Sequence, residues 1–312
     1  MKGKQLKRLQ HRQAGFTLLE LLVVITLIAT LATAALVAYE GIGDSAQATA
    51  ASNSTSTADG AIRNYRAVTQ KYPDQWDNLV VGSGASAGAA PAFLATVTAS
   101  KFANWALPAS PSTFRAAVVT ALESVGITEL QQRTQVAATG TIEPNLQHNE
   151  GAVGGVGVSE DDWTAISNVA ILPTYGDVGG TPTACTLPGG MPTTKLDAST
   201  ITATDALRQN TINDTLEDDQ CNLVIALGFG HDAAHSTSNS SVAISTAPTF
   251  VSQAINPATS YARYIALFHV AQDTNEDASF ADSEVFNKAR LLAVVDTEGR
   301  MIDENIAAQN PN

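Results

Sequence analysis

A chain of 312 residues, 44% of them hydrophobic, is long and apolar enough for one large or two ordinary domains around a packed core, which excludes an intrinsically disordered chain. Charge is unevenly placed: Lys2, Lys4, Lys7, Arg8 and Arg12 precede any acid, leaving 12 bases against 30 acids and a net charge of −18 for the remainder. Such an acidic body repels phosphate and its few bases form no stripe, so nucleic-acid binding is excluded as its role.

Residues 16–38, FTLLELLVVITLIATLATAALVA, run for 23 positions with a single charge, Glu20. At about 1.5 Å per residue this stretch crosses a bilayer as a helix. It exceeds the roughly 7–15 apolar residues of an ordinary secretory signal, so cleavage behind it is not expected. The basic cluster ahead of it stays cytoplasmic, which places everything after residue 38 outside that membrane. A single-pass anchor accounts for this much. Glu20 points further, because a charged group at mid-bilayer costs roughly 2.5–3.5 kcal/mol and calls for a positive partner.

The segment Gly15-Phe16-Thr17-Leu18-Leu19-Glu20-Leu21 behind a short basic leader resembles the signal of type IV pilins and type II secretion pseudopilins. The resemblance covers residues 1–45. It implies removal of residues 1–15 by a membrane aspartyl protease, the prepilin peptidase, which cuts between Gly15 and Phe16 and methylates the new amine. Glu20 then becomes the fifth residue of the mature chain. In a stack of subunits its carboxylate neutralises the Phe16 ammonium of a neighbour and sets the register of assembly, since an unpaired charge is expensive in a medium of low dielectric. The proline that several filament-forming relatives carry late in this helix has no counterpart here before Pro73. Gly41-Ile42-Gly43 is the first place where a bend or local melting is expected, at about 1 kcal/mol per glycine relative to alanine.

Residues 44–70 are rich in Ala, Ser, Thr and Gln, and Ala58, Ile62, Tyr65 and Val68 recur at spacings of three or four. This predicts that the helix continues as a stem with a thin apolar stripe, Gly60 counting against it. Pro73 ends it, and Trp76 in the following Tyr-Pro-containing turn is a core residue. Residues 81–92 read as an uncharged loop, 93–105 and 112–137 as helices, and 151–157 and 175–191 as glycine-rich loops. Strands are predicted over 169–172, 223–227, 261–270 and 290–295, with Asp296-Thr297-Glu298-Gly299 turning into a short final strand. The resulting fold class is α+β and pilin-like: a long N-terminal membrane and stem helix over residues 16–70, packed on an antiparallel β-sheet in a large, loop-rich head over residues 71–312.

Three local patterns bear on sites. Asp273, Asn275, Asp277 and Ser279, with Glu284 at position 12, supply oxygens in the order of an EF-hand-like calcium loop, although Ala278 stands where that loop has its turn-forming glycine. Some pseudopilins also bind calcium in a loop late in the head; a solvated acidic turn is the competing reading. Cys185 and Cys221, in neither a CxxC nor a CxxCH pattern, are disulfide partners in an exported protein, closing a loop that stabilises by roughly 3–4 kcal/mol. His231 and His235 are four apart but follow Gly228-Phe229-Gly230, which reads as a polar surface loop, and Asp161-Asp162 and residues 217–219 read as solvated acids.

No nucleophile elbow, P-loop or zinc-protease motif occurs, so no catalytic residues are assigned and no cofactor is required, calcium being the one candidate. The implied function is a structural subunit of a type IV pilus-like or pseudopilus filament. Its partners are copies of itself and other pilins, the prepilin peptidase, the inner-membrane assembly machinery and, before assembly, the lipid bilayer. Its location passes from the inner membrane, with the N-terminus cytoplasmic, to a periplasmic or cell-surface filament. The alternative is a minor tip subunit or membrane-tethered adhesive module, which the size of the head favours and Glu20 does not.

Overall fold

The computed structural model describes residues 17–92, 94–133, 158–178, 181–202, 205, 212, 216, 221–230, 254–256 and 260–307. The chain divides into two compact units, Met1–Ala46 and Gln47–Asn312. Helix α1, Leu18–Thr69, runs through the division without a break.

In the first unit the helix is apolar from Leu18 to Leu36, long enough to cross a membrane, and its side chains there are exposed. The hydroxyls of Thr26, Thr30 and Thr33 donate to the carbonyls of Val23, Leu27 and Ala29, so these polar groups are satisfied within the helix itself. The expected weak point at residues 41–43 stays helical. A glycine penalty of about 1 kcal/mol apiece is small beside the cooperativity of a helix with good formers on both sides.

In the second unit the stem half of α1 buries Ala51, Ser52, Thr55, Ala58 and Ile62, a stripe of mostly small side chains that lets the helix lie close to the head. Tyr65 is half-buried, whereas Val68 is 85% exposed, so the predicted stripe ends one turn early. The helix stops at Thr69 because Gln70 takes φ +61°, with its amide still bonded to the Arg66 carbonyl; Pro73 lies beyond this break and does not cause it.

The head is a mixed sheet on which the stem, α3 (Thr113–Glu123) and the loops pack. Its strands are β1 (Trp76–Val81), β2 (Ala103–Ala106), β3 (Glu129–Arg133), β4 (Val158–Asp162), β5 (Asn168–Leu172), β8 (Asn222–Phe229), β9 (Tyr264–Gln272) and β10 (Val285–Val295). The order is β10-β9-β8-β1-β3-β4, with β5 also on β8 and β2 on β5. Every pairing is antiparallel except β1 with β3, which α3 connects. A separate hairpin joins β6 (Tyr175–Val178) to β7 (Thr181–Ala184), which corrects the loop expected over 175–191 in its first part: antiparallel pairing between the two segments makes them strands.

β8 is buried along its whole length. Its Leu223, Ile225, Leu227 and Phe229 face the core layer that also holds Ile62 and Trp76, while Val224 and Ala226 face a second layer with Leu79 and Val80. Trp76 is fully buried, as expected, edge-on to Phe229 and Phe268, its Nε1 donating to the Pro73 carbonyl over 2.6 Å.

Three helix and strand expectations are corrected. Residues 93–105 contain only a one-turn helix α2, Thr96–Ala99, followed by β2, because Ala103 and Trp105 alternate inward with a period of two. The helix expected over 112–137 ends at Glu123, and Gly126, at φ +99°, turns the chain into β3; a Cβ there would meet the Tyr72 carbonyl at 2.9 Å. The turn at 296–299 forms, with Gly299 at φ +75°, but leads to a short helix α4, Ile302–Ala307, started by the Glu304 carboxylate accepting from the Met301 amide.

Candidate assembly and loop sites

Gly15 and Phe16 lie outside the described residues. At the start of α1, Thr17 and Glu20 form a reciprocal cap: the Thr17 amide and hydroxyl donate to Glu20 Oε2 over 2.9 and 3.0 Å, and the Glu20 amide donates to Thr17 Oγ1 over 3.2 Å. Glu20 therefore has a local role that its place in the motif did not reveal, though Thr-x-x-Glu is itself a capping signature. Its other oxygen, Oε1, accepts no hydrogen bond among the described residues and stays open to a donor from outside.

Cys185 and Cys221 are bonded to each other, with Cα atoms 5.9 Å apart across 36 positions of sequence. The bridge ties the end of the β6–β7 hairpin to the start of β8 beneath the core, where both sulfurs are buried.

The loop between β9 and β10 spans all five calcium-ligand candidates. Asp273 is buried and accepts from the amides of Asn275, Glu276 and Ala278 at 3.2, 2.9 and 2.8 Å. Asn275 accepts from the Asp277 amide, and Asp277 from the amide and hydroxyl of Ser279. The Ser279 hydroxyl holds the Asp277 carboxyl below the usual carboxylate range. Glu284, also buried, accepts from the amides of Thr274 and Ala281. Ala278 adopts φ +60°, the left-handed turn for which a glycine was wanted. The backbone thus has the curl that the sequence pattern requires, but the carboxylates are turned onto backbone amides. Among the described residues no three His, Cys, Asp or Glu side chains converge on a point that would hold a metal ion. Of the remaining acids, Asp161 and Asp162 are held by Gln132 and Thr164; residues 217–219, His231 and His235 lie outside the described residues.

Sequence reasoning missed the buried polar centre of the head. Arg263, 1% exposed, donates to Asp77 Oδ2 over 2.7 Å, and the Tyr261 hydroxyl donates to the same oxygen over 2.6 Å. Gly228 makes the room: a Cβ there would lie 1.9 Å from the Tyr261 hydroxyl. Two further buried groups titrate abnormally. Burial, aided by the Arg290 charge, pushes His269 down to about 4, and burial pushes Asp296 up to about 6 despite hydrogen bonds from Asn305 and the Arg300 amide.

The two shifts oppose each other. A histidine with a depressed folded pKa contributes stability above its ordinary value of 6.5 and loses it as pH falls toward 4. An aspartate raised to about 6 does the reverse, lowering stability as pH rises from 3.8 to 6. Relative to the parent chain, His269→Gln is expected to gain stability as pH is lowered from 6.5 to 4, and Asp296→Asn to lose it. Thermal unfolding at half-unit pH steps reads both slopes; parallel curves for the three proteins would contradict the assignment.

Residues 10–36 match the prokaryotic N-terminal methylation motif, the signature of type IV pilins and pseudopilins. No curated protein and no solved structure matches the chain.

Proposed function

We propose that this chain, whose N-terminus is the pilin and pseudopilin signature, is a structural subunit of a type IV pilus-like or pseudopilus filament. The observation that carries the reading is the coincidence of that motif with one continuous helix whose first 19 residues, Leu18–Leu36, are apolar and wholly exposed. Such a surface needs a cover, and it finds one first in lipid and then in the equivalent helices of neighbouring subunits. Prepilin peptidase cuts between Gly15 and Phe16 and methylates Phe16; the assembly machinery lifts the subunit from the inner membrane; the head, after Gln70, faces outward. Glu20 holds the Phe16 amine of an adjacent copy through its open Oε1. No catalytic step belongs to this role.

Mass spectrometry of sheared filaments tests the proposal. A subunit beginning at methylated Phe16 is the expected result; a chain beginning at Met1, or one absent from filaments, refutes it.

Calcium at the β9–β10 loop is a second, separable part of the proposal. It is supported by the 1, 3, 5, 7 and 12 order of Asp273, Asn275, Asp277, Ser279 and Glu284, and by Ala278 lying in the left-handed conformation. Binding requires Glu284 to release the amides of Thr274 and Ala281 and present its oxygens to the ion. Saturating calcium is then expected to raise the Tm of the full-length chain by several degrees, in line with about 2.7 kcal/mol at a hundredfold excess over Kd. Glu284→Gln should abolish the rise and Ala278→Gly should enlarge it. A Tm indifferent to both calcium and chelator would leave the loop a self-capped acidic turn.

A further inference from the structure

We infer that the C-terminal end of the stem helix is a docking groove for the acidic β9–β10 loop of a second copy of this chain, an inference that rests on the filament reading above. The groove is lined by Arg63, Arg66, Ala67, Gln70, Tyr72 and Leu291. Residues 60–73 hold Arg63, Arg66 and Lys71 and no acid, in a body that, with these three included, carries a net charge of −18 from 12 bases and 30 acids. Arg66 lies 4.6 Å over the Tyr72 ring and donates to its hydroxyl, which fixes the guanidinium at the wall of the groove. Arg63 is held by Asp59 through its Nε at 2.7 Å. Each guanidinium has five N–H donors, so among the described residues both keep donors in reserve in the forked geometry that suits a carboxylate.

Charge complementarity selects an acidic occupant, and the β9–β10 loop offers exposed acids in one segment. The acids of β4 already have partners of their own: Glu160 is held by Gln75 and Gln131, Asp161 by Gln132, and the exposed Asp162 by its neighbour Thr164. In the β9–β10 loop, by contrast, Glu276 and Asp282 are exposed, and neither carboxylate accepts a hydrogen bond among the described residues. They stand at positions 4 and 10 of the loop, which are not ligand positions, so they are available whether or not a cation fills it. Groove and loop are different patches of one head. A contact between them is heterologous and propagates from copy to copy, as an open helical stack requires.

The test is a charge swap in the full-length chain, read as the fraction of processed subunit recovered in sheared filaments. Arg63→Glu with Arg66→Glu is expected to lower incorporation about tenfold, Glu276→Lys with Asp282→Lys to do the same, and all four together to restore it to within about twofold of the parent. Arg63→Lys with Arg66→Lys keeps the charge and should stay near the parent, which separates loss of pairing from misfolding. Unchanged incorporation in either reversal pair, or failure of the fourfold variant to recover, overturns the inference while the filament reading stands. A loss confined to the arginine pair assigns the groove to a different acidic partner and also overturns it. A parent chain that is cut before Phe16 yet absent from filaments removes the filament reading itself.

Discussion

Replacing Glu20 by glutamine is expected to leave membrane insertion and the start of α1 intact, yet to reduce recovery of the subunit in filaments at least tenfold. The choice of glutamine matters because Glu20 has two duties. Its Oε2 caps the helix through Thr17, and a glutamine oxygen caps in the same way. Its negative charge is what would meet the Phe16 ammonium of a neighbour, and glutamine lacks it. Glu20→Ala removes both, with a further capping loss of about 1 kcal/mol. If pairing of charges governs assembly, the two variants fail to a similar extent, since a tenfold loss corresponds to about 1.4 kcal/mol, modest for an ammonium–carboxylate pair at low dielectric. Insertion should improve slightly in both, because a carboxylate has been taken out of the apolar span. The measurement is the ratio of subunit in sheared filaments to subunit in the inner membrane, by immunoblot. If Glu20→Gln assembles like the parent while Glu20→Ala does not, Glu20 acts as a cap and the register role is wrong.

The legibility of this chain falls off along its length for a physical reason. Residues 16–38 are governed by a local rule, that a lipid-exposed segment must be apolar and satisfy its own backbone, and one-dimensional sequence carries that rule entirely. β8 and β9 were also readable, because strands buried on both faces are continuous apolar runs with turn residues at their ends. β2 was not: Ala103-Asn104-Trp105-Ala106 is too short for its alternation to outweigh the helix propensity of its alanines, and only pairing with β5 decides it. Gln70, Gln75, Glu276 and Ala278 take left-handed backbone conformations without being glycine, so the turns they make left no signal in the residue type. The disulfide followed from there being two cysteines and from the expectation of an exported body. The Asp77–Arg263 pair did not, because 186 positions separate two ordinary charged residues, and nothing in either neighbourhood distinguishes a buried charge from a solvated one.

That pair carries the largest effect on stability. Asp77→Ala removes the carboxylate to which the Arg263 guanidinium, 1% exposed, donates over 2.7 Å and the Tyr261 hydroxyl over 2.6 Å. Burial alone already lowers the pKa of Arg263, and the Asp77 charge is what opposes it. Removing one partner of a buried ion pair costs about 3–5 kcal/mol. For a head of this size each kcal/mol moves the Tm by about 2–4 °C, so a fall of roughly 6–20 °C is expected. Arg263→Met alone should be nearly as harmful, because it takes the guanidinium away from a buried carboxylate. The double variant Asp77→Leu with Arg263→Met should recover most of the loss, since two apolar side chains of suitable volume need no counter-charge. Differential scanning fluorimetry of the full-length chain in detergent completes the cycle. A double variant no better than the sum of the two singles would show that Asp77 and Arg263 contribute through separate contacts rather than as a pair.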